Sequence, residues 1–324
     1  MASSGGRRTV SVVTPCYNEA ENVEELVARI CAVMESLPYD YEHILIDNAS
    51  TDGTAAKIKE LAAADPHVKL IVNVRNFGHI RSPAHGMLQA SGDAVIMLAS
   101  DLQDPPELIP EFIEPWEKGA KVVFAVKPDS ETSALFHWMR GSYYRLLTRI
   151  SESKPVEHAT GAGLYDREVV EQLRALDDPY PYTRGLIAEL GYDVARVEFV
   201  QPRRKRGVTK NNFGTLFDMA MLGVTNHSKA PLRMLSIGGF SIAILSLLAA
   251  ILYLIAKLVW WDQFPAGTAP ILIAIFFFGA VQLAAIGLLG EYVITIHTRS
   301  RHLPLVVEEE RVGFDRSTAD SGPP

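Results

Sequence analysis

Two long apolar runs constrain this chain more than any other feature. Met234–Val259 is almost wholly apolar, with Lys257 as its one charge, and Ala269–Ile296 is similar, with Glu291 late in it. About 20 apolar residues suffice to cross a bilayer, and each run exceeds that. Two transmembrane helices are therefore expected, at about 234–259 and 269–296. Trp260 and Trp261 mark the interface at the turn between them, beside Pro265 and Gly267. Lys229 and Arg233 precede the first run, and Arg299 and Arg301 follow the second. The excess of positive charge at the outer ends puts both of them in the cytoplasm. Glu291 is an ionisable group worth testing, with exposure at the interface as the ordinary alternative.

The N-terminal half has a different rhythm. Thr9–Val13 reads as a strand, followed by the loop Thr14–Ala20. Val23, Leu26, Val27, Ile30, Val33, Met34 and Leu37 then recur at helical spacing, which marks the core face of a helix. Tyr41–Ile46 is a second strand ending in Asp47-Asn48-Ala49-Ser50, and Ser50–Thr54 reads as a capped helix start. Val68–Asn73 is a third strand. The loop Arg75–His79 precedes a helix around Pro83–Ala90, and Ala94–Leu98 is a fourth, nearly uninterrupted apolar strand. Strands separated by helices of this length imply right-handed βαβ units and a parallel sheet. Ligands of such sheets bind beyond the carboxyl ends of the strands.

The fourth strand runs straight into Asp101, Gln103 and Asp104, then Pro105-Pro106, with Pro106 and Glu107 as the first turn of a helix. A carboxylate there suits a hard divalent cation carrying a diphosphate. An ordinary solvated acidic turn would read the same. Pro15 and Tyr17 can wall a nucleobase, and Glu19 and Asp47 can accept hydrogen bonds from base or ribose. Arg75 can approach a sugar nucleotide by charge, and Gly78 by lacking a side chain. Asp52-Gly53-Thr54 reads as a cap rather than a site.

Four segments carry a resemblance: TPCYNE at Thr14–Glu19, IDNASTDGT at Ile46–Thr54, RNFGH at Arg75–His79 and SDLQDPPE at Ser100–Glu107. In series, each at a strand end, they resemble family 2 glycosyltransferases of the GT-A fold. The branch is that of the polyprenyl-phosphate glycosyltransferases, which includes dolichyl-phosphate mannose synthase and bactoprenol glucosyltransferases. The likeness runs from about Val10 to about Arg301. It implies a nucleotide-sugar pocket of Pro15, Tyr17, Glu19, Asp47, Asn48, Arg75, Gly78, Ser100 and Asp101. It also implies a divalent metal, Mg²⁺ or Mn²⁺, at Asp101, with Gln103 as a second ligand. Two departures bear on that metal. Ala99 stands where the family has the first Asp of Asp-x-Asp, and Asn48 stands where a second carboxylate is usual. Fewer anionic oxygens weaken a cation site, though Mg²⁺ draws its other ligands from substrate phosphate and water. Asp104 is assigned to the helix dipole at the start of the following helix.

Leu135, Trp138, Met139, Tyr143, Leu146, Leu147 and Ile150 form one helical stripe flanked by Arg140, Arg145 and Arg149, which fits a helix in a membrane interface or one packed on the core. By resemblance, Arg140 and Arg145 face a lipid phosphate. His158–Gly163 has no carboxylate where relatives carry an Asp-Ala-Gly-Asp-like segment. A phosphate acceptor, unlike a sugar hydroxyl, is already an anion and needs no general base. In Arg203–Lys210, the residues Arg204, Gly207, Thr209 and Lys210 match the family's Arg-x-x-Gly-x-Ser/Thr-Lys. Arg204 and Lys210 would close over the diphosphate and the lipid phosphate. A juxtamembrane patch attracted to anionic lipid is the alternative.

The expected organisation is a disordered 1–8, a GT-A domain at 9–210, a juxtamembrane amphipathic segment at 211–233, the two spans within 234–298 and a cytosolic tail at 299–324. Two cysteines, Cys16 and Cys31, indicate neither a disulfide framework nor a zinc cluster, and the net charge of −7 argues against nucleic-acid binding. The opening MASSGGRRTV has no apolar core to direct secretion. The expected protein is a multi-pass enzyme of a bacterial inner membrane, with catalytic domain and both termini cytoplasmic. It moves a UDP-linked, glucose-like sugar to polyprenyl phosphate with inversion, and a homo-oligomer stays open. The alternatives are transfer to another membrane-bound glycan or lipid, and a non-catalytic scaffold that binds a nucleotide sugar.

Overall fold

Thr9–Cys16 forms β1, and every residue from Val10 to Thr14 is buried, because helices cover both faces of the sheet here. In this computed structural model the described residues are 7–127, 159–200, part of 237–259, 268–300 and 303–314. They fall into two units, one holding 7–127, 159–200 and 303–314, the other the helical residues between 237 and 300.

In the first unit, α1 (Val23–Glu35) leads to β2 (Asp40–Asp47), α2 (Thr54–Ala64) to β3 (Val68–Asn73), and α3 (Gly78–Gln89) to β4 (Ala94–Met97). A 3-10 turn at Pro106–Leu108 and α4 (Ile109–Glu117) precede β5 (Val122–Val126). β6 (Ala159–Asp166), α5 (Arg167–Leu176), α6 (Thr183–Leu190), β7 (Val194–Glu198) and β8 (Glu308–Val312) complete it. The eight strands are ordered β7-β5-β6-β4-β1-β2-β3-β8. β1, β2, β3 and β4 run parallel, as do β5 and β7, while β6 and β8 are antiparallel to their neighbours. This is an α/β fold with a mostly parallel sheet, as expected.

Apolar faces pack on both sides of the sheet. Leu26, Ile30 and Met34 of α1 and Phe112 and Trp116 of α4 cover Val10, Val12 and Ile96. Met87 of α3, Val169 and Val170 of α5 and Ile187 of α6 cover Val13, Ile44, Ile46 and Val95. The stripe from Val23 to Met34 is core, as its spacing predicts, and Leu37 packs beyond the helix end. Two buried polar pairs tie the sheet together: Glu42 accepts from Lys69 at 2.6 Å and from Ser11, and Thr14 meets His43 at 3.0 Å.

Four differences from the sequence reading have physical causes. β1 continues through Pro15 and Cys16, because β2 pairs with it to Asp47. α3 begins at Gly78, not near Pro83. Arg7 and Arg8, assigned to a disordered start, are tied down: Arg7 donates to the Leu37 carbonyl at 2.9 Å, and Arg8 lies 4.6 Å from the Trp116 ring. The segment after the second apolar run is not only a tail. Its β8 adds to the edge of β3, with Asn73 opposite Glu308 and Leu70 opposite Val312.

In the second unit, α7 (Thr268–Ser300) has 33 residues, about 50 Å at ~1.5 Å per residue. Its Phe277–Ile294 stretch is the one helix among the described residues long and apolar enough to cross a membrane. The described positions between Ile237 and Val259 are also helical.

Candidate active site

The loops leaving β1, β2, β3 and β4 lie along one sheet edge, since Cys16 pairs with Asp47, Asp47 with Val72, and Val13 with Met97. Each contains a residue in the left-handed region: Asn18 (φ 57°), Ala49 (φ 60°), Gly78 (φ 86°) and Leu102 (φ 57°). For a residue with a Cβ this costs roughly 1–2 kcal/mol, and it persists only where the surroundings impose it. The surroundings here are side-chain ties. Asn18 receives the Thr51 N–H at 2.8 Å, and the Asn18 N–H reaches Ser50 Oγ at 2.9 Å. Asp101 Oδ1 accepts the Gln103 N–H at 3.1 Å and so closes a turn over Leu102. Asp52 accepts from the Thr54 and Ala20 N–H groups at 3.1 Å each, a backbone role like the one its spacing predicts.

Asp47, Glu19 and Ser100 lie around Cys16. Its thiol pKa is pushed up by burial and by the charges of Asp47 and Glu19, against a hydrogen bond with Ser100. Asp47 is 1 % exposed. Its Oδ2 accepts the Ser50 N–H at 2.9 Å, and Oδ1 has no partner. Burial raises its pKa. An unpaired buried acceptor is costly, about 1–3 kcal/mol, so it marks a place for a ligand's donor. Glu19 accepts from Asn22 Nδ2 at 2.6 Å, Pro15 is half-buried, and Tyr17 is 36 % exposed.

Asn48 has a different job. Its Nδ2 donates to Asn76 Oδ1 at 2.9 Å and to the Gly78 carbonyl at 3.3 Å. Its Oδ1 accepts from Asn73 Nδ2 at 3.1 Å and from the Phe77 N–H at 2.9 Å. The side chain therefore knots the loop that holds Arg75 and Gly78. Arg75 lies 4.0 Å from the Phe77 ring and donates to the Asn76 carbonyl at 3.2 Å. Gly78 is open where a Cβ would stand.

Asp104 does not cap the turn that follows it. The residue capping the 3-10 turn is Pro105, and no side chain caps that turn. Asp104 is instead 4 % exposed with an unpartnered Oδ1. Its pKa is pushed up to about 6, by burial first and then by the Asp101 charge, against Lys127, a Thr160 hydrogen bond and Arg184. Asp101 and Asp104 thus form a carboxylate pair at the end of β4. No group of three or more acidic, His or Cys side chains that could hold a metal occurs among the described residues. Two hard carboxylates, one with an orphan oxygen, still fit a cation that takes its remaining ligands from phosphate and water.

Lys127, Thr160 and Arg184 were not singled out from the sequence. A signal existed for Lys127, the first charge after the buried run Val122–Val126. Arg184 carries no local signal, because α6 brings it in by tertiary packing. Arg140, Arg145, Arg204 and Lys210 lie outside the described residues, as do 211–233 and much of the first apolar run.

An open α/β sheet with buried carboxylates at its carboxyl edge offers a ligand crevice of the kind such sheets use. Comparison with known proteins identifies the family. The profile of Glycosyl transferase family 2 matches residues 11–174. A bactoprenol glucosyl transferase of Shigella phage SfV is 34% identical over 93% of this chain and 99% of its own. An SfII prophage-derived bactoprenol glucosyl transferase of Shigella flexneri is 34% identical over 91% of this chain and 96% of its own. A prophage bactoprenol glucosyl transferase homolog of Escherichia coli is 31% identical over the same shares. The chain belongs to glycosyltransferase family 2, and its first unit is a GT-A-like domain of a glycosyltransferase.

Proposed function

We propose that this chain transfers a sugar, glucose-like and UDP-linked, to a polyprenyl phosphate at a bacterial inner membrane, giving a polyprenyl-monophosphate sugar. The observation that carries the reading is the nearly end-to-end likeness to proteins named bactoprenol glucosyl transferases, which extends over both apolar runs. The geometry supports it. The orphan Oδ1 of Asp47 suits a donor from base or ribose, and the Asn48 knot holds Arg75 and Gly78 toward the sugar nucleotide. Pro15, Tyr17, Glu19 and Ser100 complete that pocket.

Asp101, with Asp104 and Gln103 beside it, would hold a Mg²⁺ or Mn²⁺ ion, which neutralises diphosphate charge when bound. An acceptor phosphate oxygen attacks the anomeric carbon as the bond to the donor's diphosphate oxygen breaks. One displacement inverts that carbon, and the nucleoside diphosphate leaves with the electron pair. No side chain need remove a proton, because a phosphate monoester is already ionised, with a second pKa near ~6. This agrees with the lack of a carboxylate in His158–Gly163. Arg204 and Lys210 are assigned to the leaving diphosphate, and Arg140 and Arg145 to the lipid phosphate. The spans at 234–259 and 269–296 anchor the domain with both termini in the cytoplasm, and 211–233 lies along the interface.

The test is purified full-length protein in detergent, given a panel of nucleotide sugars with undecaprenyl phosphate and Mg²⁺ or Mn²⁺. An acid-labile lipid-linked sugar is expected with a UDP-sugar. Nucleotide-sugar binding without transfer to any polyprenyl phosphate would overturn the reading in favour of a scaffold.

A further inference from the structure

The segment just before β8 grips the turn from β3 into α3 at both ends. Val74, the first residue after β3, donates its N–H to the Val307 carbonyl at 3.0 Å. Arg81, in the first turn of α3, donates from Nη2 to the Pro304 carbonyl. Val306, between those two carbonyls, is buried, and β8 pairs with β3 from Glu308 onward. Pro304 and Val307 are therefore fixed points. α3 meets the same segment at a four-residue spacing: Arg81 at Pro304, His85 at Glu308 (2.6 Å) and Gln89 at Arg311 (2.8 Å). Residues four apart share one helix face, so the returning chain lies in register along α3.

Arg81 also reaches the interior of the turn. Its guanidinium carbon lies 5.3 Å from the centre of the Phe77 ring, and that of Arg75 lies 4.0 Å from the same ring. The ring face attracts each cation, while the two cations repel one another. Arg81 is half-buried and tied to Pro304, whereas Arg75 is exposed. Arg81 is thus the fixed member of the pair, and it limits where Arg75 can lie. The Arg81 Nε is buried without a hydrogen-bond partner among the described residues, which costs free energy. A lysine would reach the carbonyl without that cost. What the guanidinium adds is a flat face for the ring.

We propose that Arg81 is a positioning residue for the sugar nucleotide: held by the Pro304 carbonyl, it sets the place of Arg75 through the Phe77 ring. Arg81 itself touches no ligand. This rests on the reading above that Arg75 belongs to the donor pocket.

UDP is titrated calorimetrically into the full-length protein in detergent, and transfer from UDP-glucose to undecaprenyl phosphate is followed alongside. Arg75→Met should weaken UDP binding on the order of 10-fold, the scale of a lost charge-assisted contact. Arg81→Met should reproduce a large part of that loss. The double variant should be no worse than Arg75→Met alone, because Arg81 acts only through Arg75. Phe77→Leu, which leaves the Pro304 bond in place, should behave like Arg81→Met. Arg81→Lys should recover part, since it keeps the charge and the carbonyl bond but not the flat face. Donor KM should rise in these variants while acceptor KM holds. Losses that add in the double variant would overturn the proposal, because Arg81 would then act on the ligand or on the fold by itself. Unchanged UDP affinity in Arg75→Met or Arg81→Met, an acceptor KM that rises in step with donor KM, or wild-type protein that binds no UDP would overturn it as well. If Arg81→Met does not fold, the same cycle between Phe77→Leu and Arg75→Met decides. Non-additive UDP losses without any sugar transfer would support the positioning role and break the functional reading above. Intact transfer and donor KM in Arg81→Met would break the positioning role and leave that reading standing.

Discussion

Asn48→Asp restores the carboxylate usual after Asp47 in the family, yet it should damage this protein. Asn48 is buried and makes four hydrogen bonds, two as donor and two as acceptor. Its orientation is fixed, because the Phe77 N–H can only donate and must face Oδ1. An aspartate keeps the two accepted bonds and loses the two donated ones. Asn76 Oδ1 and the Gly78 carbonyl would then face an anion. At about 1–1.5 kcal/mol per bond the loss is about 2–3 kcal/mol, before the cost of a second buried carboxylate beside Asp47. Asn76 can turn its amide to donate, but its oxygen then leaves the Gly78 N–H, which it now accepts at 2.8 Å. For a domain of this size the loss corresponds to roughly 5–10 °C in Tm. Near-UV circular dichroism on heating measures it, and steady-state kinetics should show donor KM rising with acceptor KM unchanged. Asn48→Ala should be worse, since the Phe77 N–H and Asn73 Nδ2 lose their acceptor too. Wild-type Tm and donor KM in Asn48→Asp would refute the knot.

Asp101→Asn should lower kcat/KM by a factor on the order of 10² or more with little change in Tm; full activity, or full activity in excess chelator, would remove Asp101 from the site. The Glu308 carboxyl is held at about 2, since hydrogen bonds from His85 and Arg311 outweigh the effect of burial. A lowered carboxylate pKa stabilises the fold above its ordinary value of 4.5 and loses that contribution as pH falls toward 2. With the side chain 22% exposed, about 1–2 kcal/mol survives solvent screening, so Glu308→Gln should lower Tm at pH 6 and flatten its fall between about pH 4.5 and 2. Gly163→Ala would put a Cβ 2.5 Å from the Val123 carbonyl in the sheet, so it should destabilise by about 1–3 kcal/mol in a denaturant melt.

The parts legible in the sequence are those whose signal is local. Val23 to Met34 repeat at helical spacing, and Ala94–Leu98 is a short apolar run ended by a charged turn, so α1 and β4 could be placed without a partner in view. β8 could not: Glu308–Val312 reads EEERV, with no apolar alternation, because it is an edge strand held by backbone pairing and by Arg311, Lys59 and His85. The same limit divides the site. Pro15, Tyr17, Glu19 and Asp47 sit directly at strand ends, where chemistry is expected. Asp104 lies only three residues past Asp101, yet its burial depends on how Pro105-Pro106 turns the chain. Arg184 meets Ala159 only because α6 packs on the sheet, and no spacing in the sequence records that.

β8 also decides how many times the chain can cross a membrane. β7, before the apolar runs, and β8, after them, belong to one sheet. Val307 accepts the Val74 N–H at 3.0 Å, and Glu308 meets His85 at 2.6 Å, so the returning strand is bound beside the loop that carries Arg75. Everything from Val200 to Leu303 therefore begins and ends on one side, and its crossings must be even in number. If the 33-residue α7 crosses, a second crossing has to lie between 200 and 268. Met234–Val259 is the one stretch there that is long and apolar enough. Reporter fusions at the N-terminus and after Pro324 should both report cytoplasm, and one inserted near Gln263 the opposite side. Termini on opposite sides would mean that β8 cannot pair with β3 in the membrane-bound protein. A cytoplasmic Gln263 would mean that neither run crosses.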